Sequence, residues 1–291
     1  MKTRTGNGAY QPSEMSFGYS RESLDNRFVY VVVSPRTQGL VVGVNMNPDK
    51  CCNFDCVCCE VRRDLPSRDE YLDVPVMMAE LKKTVRLALN DELRELPYFL
   101  SLLPSLRHMR HVALSGDGEP TLCPNFCEAL QAIVHWRAQG EFPFYKLVLS
   151  TNATGLDLPN VQLGLRSLNA KDEIWVKMDG GSPGYLAKFN RPRMGTDRIV
   201  GNIVAAAQER PVVIQSRFAA FDGEEPPSEE IEAFIETLRG IKQQGAQISL
   251  VQVYSAMRPS LHPKCTHLPL RTLSAIARRL RLGTGLRAEV F

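Results

Sequence analysis

Three cysteines with close, regular spacing are the residues of this sequence best suited to chemistry. Cys52, Cys56 and Cys59 follow the pattern Cys-x3-Cys-x2-Cys, and Cys51 and Cys58 lie within the same nine residues. Three thiolates on one short loop can ligate three irons of a 4Fe-4S cluster and leave the fourth iron open to a small molecule. Because an open iron is a catalytic feature, the spacing predicts a cluster-dependent enzyme.

Two other uses of the cysteines are a zinc site and a disulfide framework. A zinc knuckle normally needs a second ligand pair at tetrahedral spacing, which Cys123, Cys127 and Cys265 supply poorly. Eight cysteines in 291 residues are too few for a disulfide framework, and adjacent cysteines are poorly placed to bridge. A non-catalytic zinc-binding interaction module stays an alternative.

The composition fits a globular protein with a full core. Hydrophobic residues make up 44% of the chain, and 35 basic against 32 acidic residues leave a formal net charge of +3. This charge gives no strong electrostatic footprint for nucleic acid, although it permits RNA as a partner. No stretch has the apolar length of a membrane helix and the first residues lack an apolar signal core, so we expect a cytoplasmic protein with no membrane partner.

Short apolar runs alternate with helical patterns, which predicts an α/β fold of repeated βα units around a parallel sheet. Six core strands are predicted at 40–46, 111–115, 145–150, 173–178, 211–218 and 247–254. Helices are predicted near 76–91, 125–138, 160–168, 195–209, 229–244 and 270–282. Strands at 28–34 and 287–291 flank this set, residues 1–27 form a polar N-terminal extension, and residues 28–291 form one core domain.

The cysteine loop and a glycine-containing turn are predicted to meet at one edge of this sheet. The cysteines follow the strand at 40–46, and Ser115-Gly116-Asp117-Gly118-Glu119-Pro120-Thr121 follows the strand at 111–115. The carboxyl ends of parallel strands carry the active sites of α/β folds. The two glycines allow a tight turn whose backbone can approach a ligand.

Together these motifs resemble those of the radical S-adenosylmethionine (SAM) superfamily. Cys52-Asn53-Phe54-Asp55-Cys56-Val57-Cys58-Cys59-Glu60 and the turn that ends at Thr121 are similar to the wyosine-base-formation-like subgroup. Further similarity at Ser150-Thr151-Asn152, Val176–Asp179 and Phe189–Pro192 extends the resemblance over roughly residues 28–260. The resemblance implies a partial (β/α)6 TIM-like barrel of the radical SAM type, with the cysteine loop after the first core strand.

The resemblance also implies two cofactors, a 4Fe-4S cluster on Cys52, Cys56 and Cys59 and SAM, which chelates the open iron. In the implied reaction the reduced cluster cleaves SAM to a 5′-deoxyadenosyl radical, which abstracts hydrogen from an unidentified substrate. A flavodoxin- or ferredoxin-like protein is the expected one-electron donor. The residues expected to contact SAM are Gly118, Glu119, Ser150, Thr151, Asn152, Lys177, Asp179 and Gln215.

The sequence departs from the family pattern at two points. The residue before the third cluster cysteine is usually aromatic but is Cys58 here. We expect Cys51 and Cys58 to be small buried packing residues, with a substitute ligand or a site of oxidation as the alternatives. The second three-cysteine set of a tRNA wyosine former is absent. The resemblance therefore does not identify the substrate. An RNA base-modifying radical SAM enzyme stays an alternative.

Cationic residues near the predicted strand ends indicate an anionic substrate. Lys177, Arg191, Arg217 and Arg258 lie at or just beyond the ends of core strands, which converge on one mouth. Guanidinium groups bind carboxylate or phosphate through paired charge-assisted hydrogen bonds. The alternative is that nearby acidic residues neutralise these cations, or that the cations bind only the carboxylate of the cofactor.

Overall fold

The computed structural model describes residues 24–34, 36–96, 99–100, 102–255, 262 and 264–291. The strands in these residues are β1 (Val29–Ser34), β2 (Gly39–Asn45), β3 (Met109–Ser115), β4 (Lys146–Thr151), β5 (Glu173–Lys177), β6 (Val212–Arg217), β7 (Ala219–Phe221), β8 (Ile248–Tyr254), β9 (Cys265–His267) and β10 (Ala288–Val290). The α-helices are α1 (Val74–Leu89), α2 (Phe126–Ala138), α3 (Pro159–Leu165), α4 (Pro183–Phe189), α5 (Thr196–Glu209), α6 (Ser228–Gln243) and α7 (Leu270–Thr284).

The strands form one large sheet and one small one. The large sheet has the order β1-β2-β3-β4-β5-β6-β8-β10. All its neighbouring strands are parallel except β1, which is antiparallel to β2. The small sheet pairs β7 with β9 in antiparallel register. The six parallel strands from β2 to β8 and their helices confirm the predicted partial barrel.

Burial on both faces explains why the core strands are continuous apolar runs. All seven residues of β2 are buried, as expected for a strand covered by helices outside and by the barrel interior inside. The apolar stripe of α6 packs against the sheet as its helical spacing predicts. Its buried residues include Ile231, Phe234, Ile235, Leu238 and Ile241.

Local signals fix where two helices near the site begin. Asp73 precedes α1, and its carboxylate accepts the backbone N–H of Val76 at 3.0 Å. Ser182 precedes α4, and its hydroxyl accepts the backbone N–H of Tyr185 at 3.2 Å. These bonds satisfy N–H groups that the first turn of a helix leaves unpaired. Both caps therefore hold helix starts at the barrel wall.

All eight predicted strands are present within a few residues of their expected bounds. The sequence prediction missed α4, β7 and β9, which are short elements with seven, three and three residues. Most of the predicted N-terminal extension lies outside the described residues, and its separation from a single core domain stays a prediction. Among the described residues, no helix has the length and apolar character needed to cross a membrane.

Candidate active site

The cysteine loop faces a cavity at the carboxyl ends of the core strands. This cavity has a volume of about 260 Å³. Cys52, Cys56 and Cys59 all line it, and Gly118 of the glycine turn lines it as well. The structure therefore brings the two sequence motifs to the same space, as their positions after neighbouring parallel strands predict.

Each of the three cysteine sulfurs accepts one N–H hydrogen bond. The donors are the Phe54 backbone amide to Cys52 (3.5 Å), Asn190 Nδ2 to Cys56 (3.4 Å) and Arg63 Nη1 to Cys59 (3.4 Å). Donors that point at sulfur stabilise negative charge on a thiolate or on a reduced iron–sulfur cluster. For Cys52 and Cys56 these donors partly offset burial, which raises the pKa of both thiols.

Three thiols on one loop fit the donor set of an iron–sulfur cluster. Among the described residues, no three His, Cys, Asp or Glu side chains are grouped so that they could hold one ion. A 4Fe-4S cluster does not require that grouping, because its cysteines bind different irons. The cavity offers three thiols, each of which accepts a hydrogen bond from an N–H group. That these cysteines bind the cluster stays a prediction.

The glycine turn packs directly against the cysteine loop. The backbone N–H of Glu119 donates to the carbonyl oxygen of Cys51 at 2.9 Å. A Cβ atom on Gly118 would lie 1.9 Å from that same oxygen and 2.6 Å from Asn47 Cβ, so a side chain here would displace the loop. The sequence analysis placed this requirement at the cofactor. The cysteine loop by itself already excludes a side chain at Gly118, and contact of this residue with SAM stays a prediction.

The segment after α4 holds the opposite side of the cysteine loop. Three backbone hydrogen bonds join the two segments: Asp55 N–H to Asn190 O (3.1 Å), Val57 N–H to Phe189 O (2.9 Å) and Arg193 N–H to Asn53 O (3.0 Å). The loop therefore lies between the glycine turn and this segment. The similarity that the sequence shows at 189–192 corresponds to a structural support of the loop.

The end of β4 is tied to the cysteine loop through Asn53. Its side-chain oxygen accepts hydrogen bonds from Asn152 Nδ2 at 3.0 Å and from the Thr154 hydroxyl at 3.1 Å. Asn152 and Thr154 are buried. The Ser-Thr-Asn motif after β4 therefore positions the loop.

Glu119 has a buried carboxylate whose hydrogen-bonding capacity is used within the protein. Its Oε1 accepts the backbone N–H and hydroxyl of Thr121, at 3.1 and 2.6 Å, and the hydroxyl of Thr151. Its Oε2 accepts the backbone N–H of Asn152 at 2.7 Å. Glu119, Thr151 and Asn152 are not among the described residues that line the cavity. Their contacts join the glycine turn to β4, and direct contact with SAM stays a prediction for all three.

The other predicted SAM contacts line the cavity. Ser150, Lys177, Asp179 and Gln215 all face it. The Ser150 hydroxyl donates to Gln215 Oε1 at 3.3 Å, and Gln215 Nε2 donates to Gln252 Oε1 at 2.9 Å. This polar row crosses β4, β6 and β8, so it presents a fixed set of donors and acceptors inside the barrel.

Asp179 and Asn190 connect this polar row to the cysteine loop. Asp179 Oδ1 accepts the backbone N–H of Arg217, and its Oδ2 accepts Asn190 Nδ2, both at 2.8 Å. Burial, and then the negative charge of Asp179, raises the pKa of the Cys56 thiol to about 11. Without a metal this thiol is protonated near neutral pH, so metal binding must displace its proton.

The cavity has an apolar floor. Val148 and Trp175 line it and pack with Val213. The ring of His111 meets the Trp175 ring edge-on at a centroid distance of 5.3 Å. Since these residues precede Ser150 and Lys177 in their strands, the floor lies below the polar row and restricts water access from that side.

The predicted cluster of cations is only partly formed. Lys177 and Arg217 line the cavity. Arg191 instead lies on the surface, where it pairs with exposed Asp55 at 3.3 Å, and it is not among the cavity's described lining residues. Arg258 lies outside the described residues. Local pairing explains why proximity to a strand end did not place Arg191 at the mouth.

The two extra cysteines of the loop have different environments. Cys58 is fully buried, which confirms its predicted role as a small packing residue. A hydrogen bond with Cys265 and burial together raise its pKa. The same prediction is wrong for Cys51, whose residue is exposed. The backbone of Cys51, and not its side chain, makes the contact with the glycine turn.

Sequence reasoning missed three residues of this site. Arg63 and Asn190 donate to cluster-loop sulfurs, and Arg36 lines the cavity from the turn after β1. Asn190 belongs to a motif that the sequence analysis noted, so its position carried a signal. Arg36 carried none, because it precedes the first core strand and follows no periodic pattern.

Comparison with known sequences finds a curated relative that matches part of the chain. No family model matches the chain. It is 32% identical over 171 residues to the UPF0026 protein slr1464 of Synechocystis sp., an alignment that covers 58% of this chain and 54% of that protein. The chain therefore spans about half the length of the curated relative it matches.

Comparison with solved structures shows the fold of radical SAM enzymes. A radical SAM methyltransferase from Sphaerobacter thermophilus matches with a TM-score of 0.63 at 15% identity, over 90% of this chain and 68% of that one. Streptococcus suis SuiB bound to SAM matches at 0.58 and 14% identity, over 88% and 52%. TYW1 with a lysine-pyruvate adduct bound matches at 0.52 and 13% identity, over 88% and 84%. The resemblance predicted from the motifs is confirmed at the level of the fold.

Proposed function

We propose that this protein is a radical SAM enzyme that holds a 4Fe-4S cluster on Cys52, Cys56 and Cys59. The observation that carries the proposal is the meeting of these three thiols and the glycine turn at one cavity, in a barrel with this fold. When bound, the cluster and SAM supply reductive cleavage to a 5′-deoxyadenosyl radical, which abstracts hydrogen from the substrate. The protein supplies orientation, charge and exclusion of water.

Lys177 is the residue that we assign to the carboxylate of SAM. It lines the cavity and makes no ion pair with a described residue. Burial raises the pKa of the Cys52 thiol, and the nearby positive charge of Lys177 partly offsets that effect. A cation close to a cluster cysteine is well placed for an anionic group bound at the open iron.

Ser150, Asp179 and Gln215 are assigned to the polar parts of SAM. They face the cavity above the apolar floor. Ser150 and Gln215 are held by a hydrogen bond to each other, and Asp179 is held by the hydrogen bonds that it accepts from Arg217 N–H and Asn190 Nδ2. Rigid donors and acceptors bind a ligand with little loss of side-chain freedom. Electrons arrive from a flavodoxin- or ferredoxin-like donor.

The test is anaerobic reconstitution with iron and sulfide, followed by reduction with dithionite in the presence of SAM. We expect four irons per chain and formation of 5′-deoxyadenosine. Replacement of Cys52, Cys56 or Cys59 by Ala removes a ligand and should abolish both. Cys51→Ala is the matched control from the same loop, because its exposed thiol lines no part of the cavity.

Two outcomes would reject this assignment. Full iron content in the triple Ala variant would show that other residues hold the cluster. Stoichiometric zinc without iron after anaerobic purification would support the zinc-binding interaction module instead. An RNA-modifying enzyme is tested separately, since nucleic acid bound through phosphates is released as salt is raised.

A further inference from the structure

We infer that Arg36 and Arg217, which both adjoin Tyr254, bind an oxyanion of the substrate, either a carboxylate or a phosphate. The inference deepens the proposed function and rests on it, because it assigns a substrate class to the same cavity. All three residues line that cavity. Arg217 is the register partner of Tyr254 in the pairing of β6 with β8. The guanidinium of Arg36 lies over the Tyr254 ring, 4.5 Å from its centroid.

Arg217 carries a buried donor that lacks a protein partner. Its Nε atom is inaccessible to water and makes no hydrogen bond with a described residue. Its backbone N–H is bound by Asp179, but its side chain makes no ion pair with a described residue. A buried N–H of a charged group without an acceptor is costly, so the group is suited to a ligand that supplies one.

Arg36 closes the open side of the partial barrel. It lies in the turn between β1 and β2, and its contact with Tyr254 spans from that edge of the sheet to β8. It makes no ion pair with a described residue. A guanidinium stacked on an aromatic ring keeps its N–H groups in the ring-parallel plane, where they can bind an oxyanion through two hydrogen bonds.

Neither arginine forms an ion pair with a described carboxylate of the cavity lining. The cationic lining residues are Arg36, Arg63, Lys177 and Arg217, and the acidic ones are Glu60, Asp117 and Asp179. Arg63 donates to the Cys59 sulfur, and both oxygens of Asp179 accept hydrogen bonds from other residues. With Lys177 assigned to the cofactor, the two guanidiniums beside Tyr254 remain for a second anion.

The ring of His111, which also lines the cavity, contributes no positive charge to it. Burial, together with the charges of Lys146 and Arg36, lowers its pKa to about 3. His111 is therefore neutral at physiological pH and adds no charge to the cavity. The potential comes from the arginines, so an anionic group is favoured and a cationic group is disfavoured.

The apolar floor limits what the oxyanion can be attached to. Val148 and Trp175 lie within the same space of about 260 Å³, which SAM must share. A compact molecule with an apolar or aromatic body and one oxyanion fits these surfaces.

The test uses phenyl phosphate as the probe and benzyl alcohol as its uncharged counterpart. Both are titrated calorimetrically into anaerobic, cluster-loaded protein that is saturated with SAM. We expect Arg36→Ala and Arg217→Ala each to weaken phenyl phosphate binding about tenfold or more, because each loses a pair of charge-assisted hydrogen bonds. Arg278→Ala, at an exposed arginine of α7, is the control and should leave the affinity unchanged.

Two further variants keep the test decisive. If Arg217→Ala does not fold, Arg217→Lys keeps the charge, loses the paired donors and should weaken binding by about threefold to tenfold. Tyr254→Phe keeps the ring under Arg36 and should retain affinity, whereas Tyr254→Ala should reduce it. The stacking contact is thereby separated from the hydroxyl.

Three results would overturn the inference. The first is equal binding of phenyl phosphate and benzyl alcohol, and the second is unchanged affinity in Arg36→Ala. The third is probe binding that SAM abolishes by competition, because the arginines then hold the carboxylate of the cofactor. Wild-type protein that cleaves SAM but fails these tests rejects this inference alone, whereas wild-type protein without a cluster rejects the proposed function as well.

Discussion

Glu119→Gln separates a structural role of this carboxylate from direct contact with SAM. The Gln amide oxygen can keep the Oε1 position, where Thr121 and Thr151 donate. Its NH2 group then replaces Oε2 and faces the backbone N–H of Asn152, which donates across 2.7 Å in the native protein. The hydrogen bond from the Asn152 backbone N–H to the carboxylate is lost, and this N–H then faces the N–H groups of the new amide.

The expected loss of stability is about 3 kcal/mol, since a hydrogen bond to a charged group contributes about 1.5–3 kcal/mol and the other bonds to the acceptor weaken. In a protein of this size about 2–4 °C of Tm corresponds to each kcal/mol, so Tm should fall by about 6–12 °C. Circular dichroism during heating of the cluster-free protein measures this. Because Asn152 also holds Asn53 of the cysteine loop at 3.0 Å, iron retention should fall in parallel.

Glu229→Gln is the matched control, because Glu229 is exposed at the start of α6. Its Tm should stay within about 2 °C of the wild type, since surface substitutions rarely change stability by more than about 0.5 kcal/mol. An unchanged Tm and iron content in Glu119→Gln, combined with loss of SAM binding, would refute the reasoning. That result would mean that the carboxylate contacts the cofactor directly.

Three further expectations follow from the contacts around the cavity. Gly118→Ala places a Cβ 1.9 Å from the Cys51 carbonyl oxygen, so reconstituted protein should hold less iron as well as bind SAM more weakly, and full iron occupancy would contradict this contact. Asn190→Ala removes the N–H donor at 3.4 Å from Cys56 Sγ and should lower the reduction potential of the cluster in an EPR-monitored titration, whereas an unchanged potential would separate Asn190 from the cluster. Burial, aided by nearby cations, lowers the pKa of His111 to about 3 in the folded protein. As pH drops below about 6.5, the unfolded chain therefore protonates His111 before the folded protein does, and the free energy of unfolding should fall between about pH 6.5 and pH 3. In His111→Asn the Tm should fall less over that window, and an identical acid dependence would show that His111 does not contribute.

The sequence was a good guide to the barrel because its strands are buried on both faces. Continuous apolar runs such as β2 cannot be surface segments, and their alternation with amphipathic helices leaves few topologies other than parallel βα repeats. The short elements could not be predicted in this way. The helix α4 has seven residues, so its apolar period is hardly established, although Ser182 before Pro183 is a recognisable start signal.

The candidate site was predictable where function depends on residue spacing along the chain. The separations of Cys52, Cys56 and Cys59 are set within one loop, so the sequence contains them completely. Contacts between loops were harder to predict from the sequence. The sequence analysis expected Glu119 and Asn152 to contact a ligand, and the structure shows both in hydrogen bonds that join protein segments.

The amino-acid sequence by itself determined the strand order of the core, the loop that carries the three thiols and the meeting of that loop with the glycine turn. These features follow from local periodicity and from the rule that parallel strands end at one edge. Only the tertiary structure decided that Arg191 pairs on the surface while Arg36 and Arg217 face the cavity. The reason is that a long cationic side chain can reach several partners, and which one it meets depends on segments far apart in sequence that folding brings together.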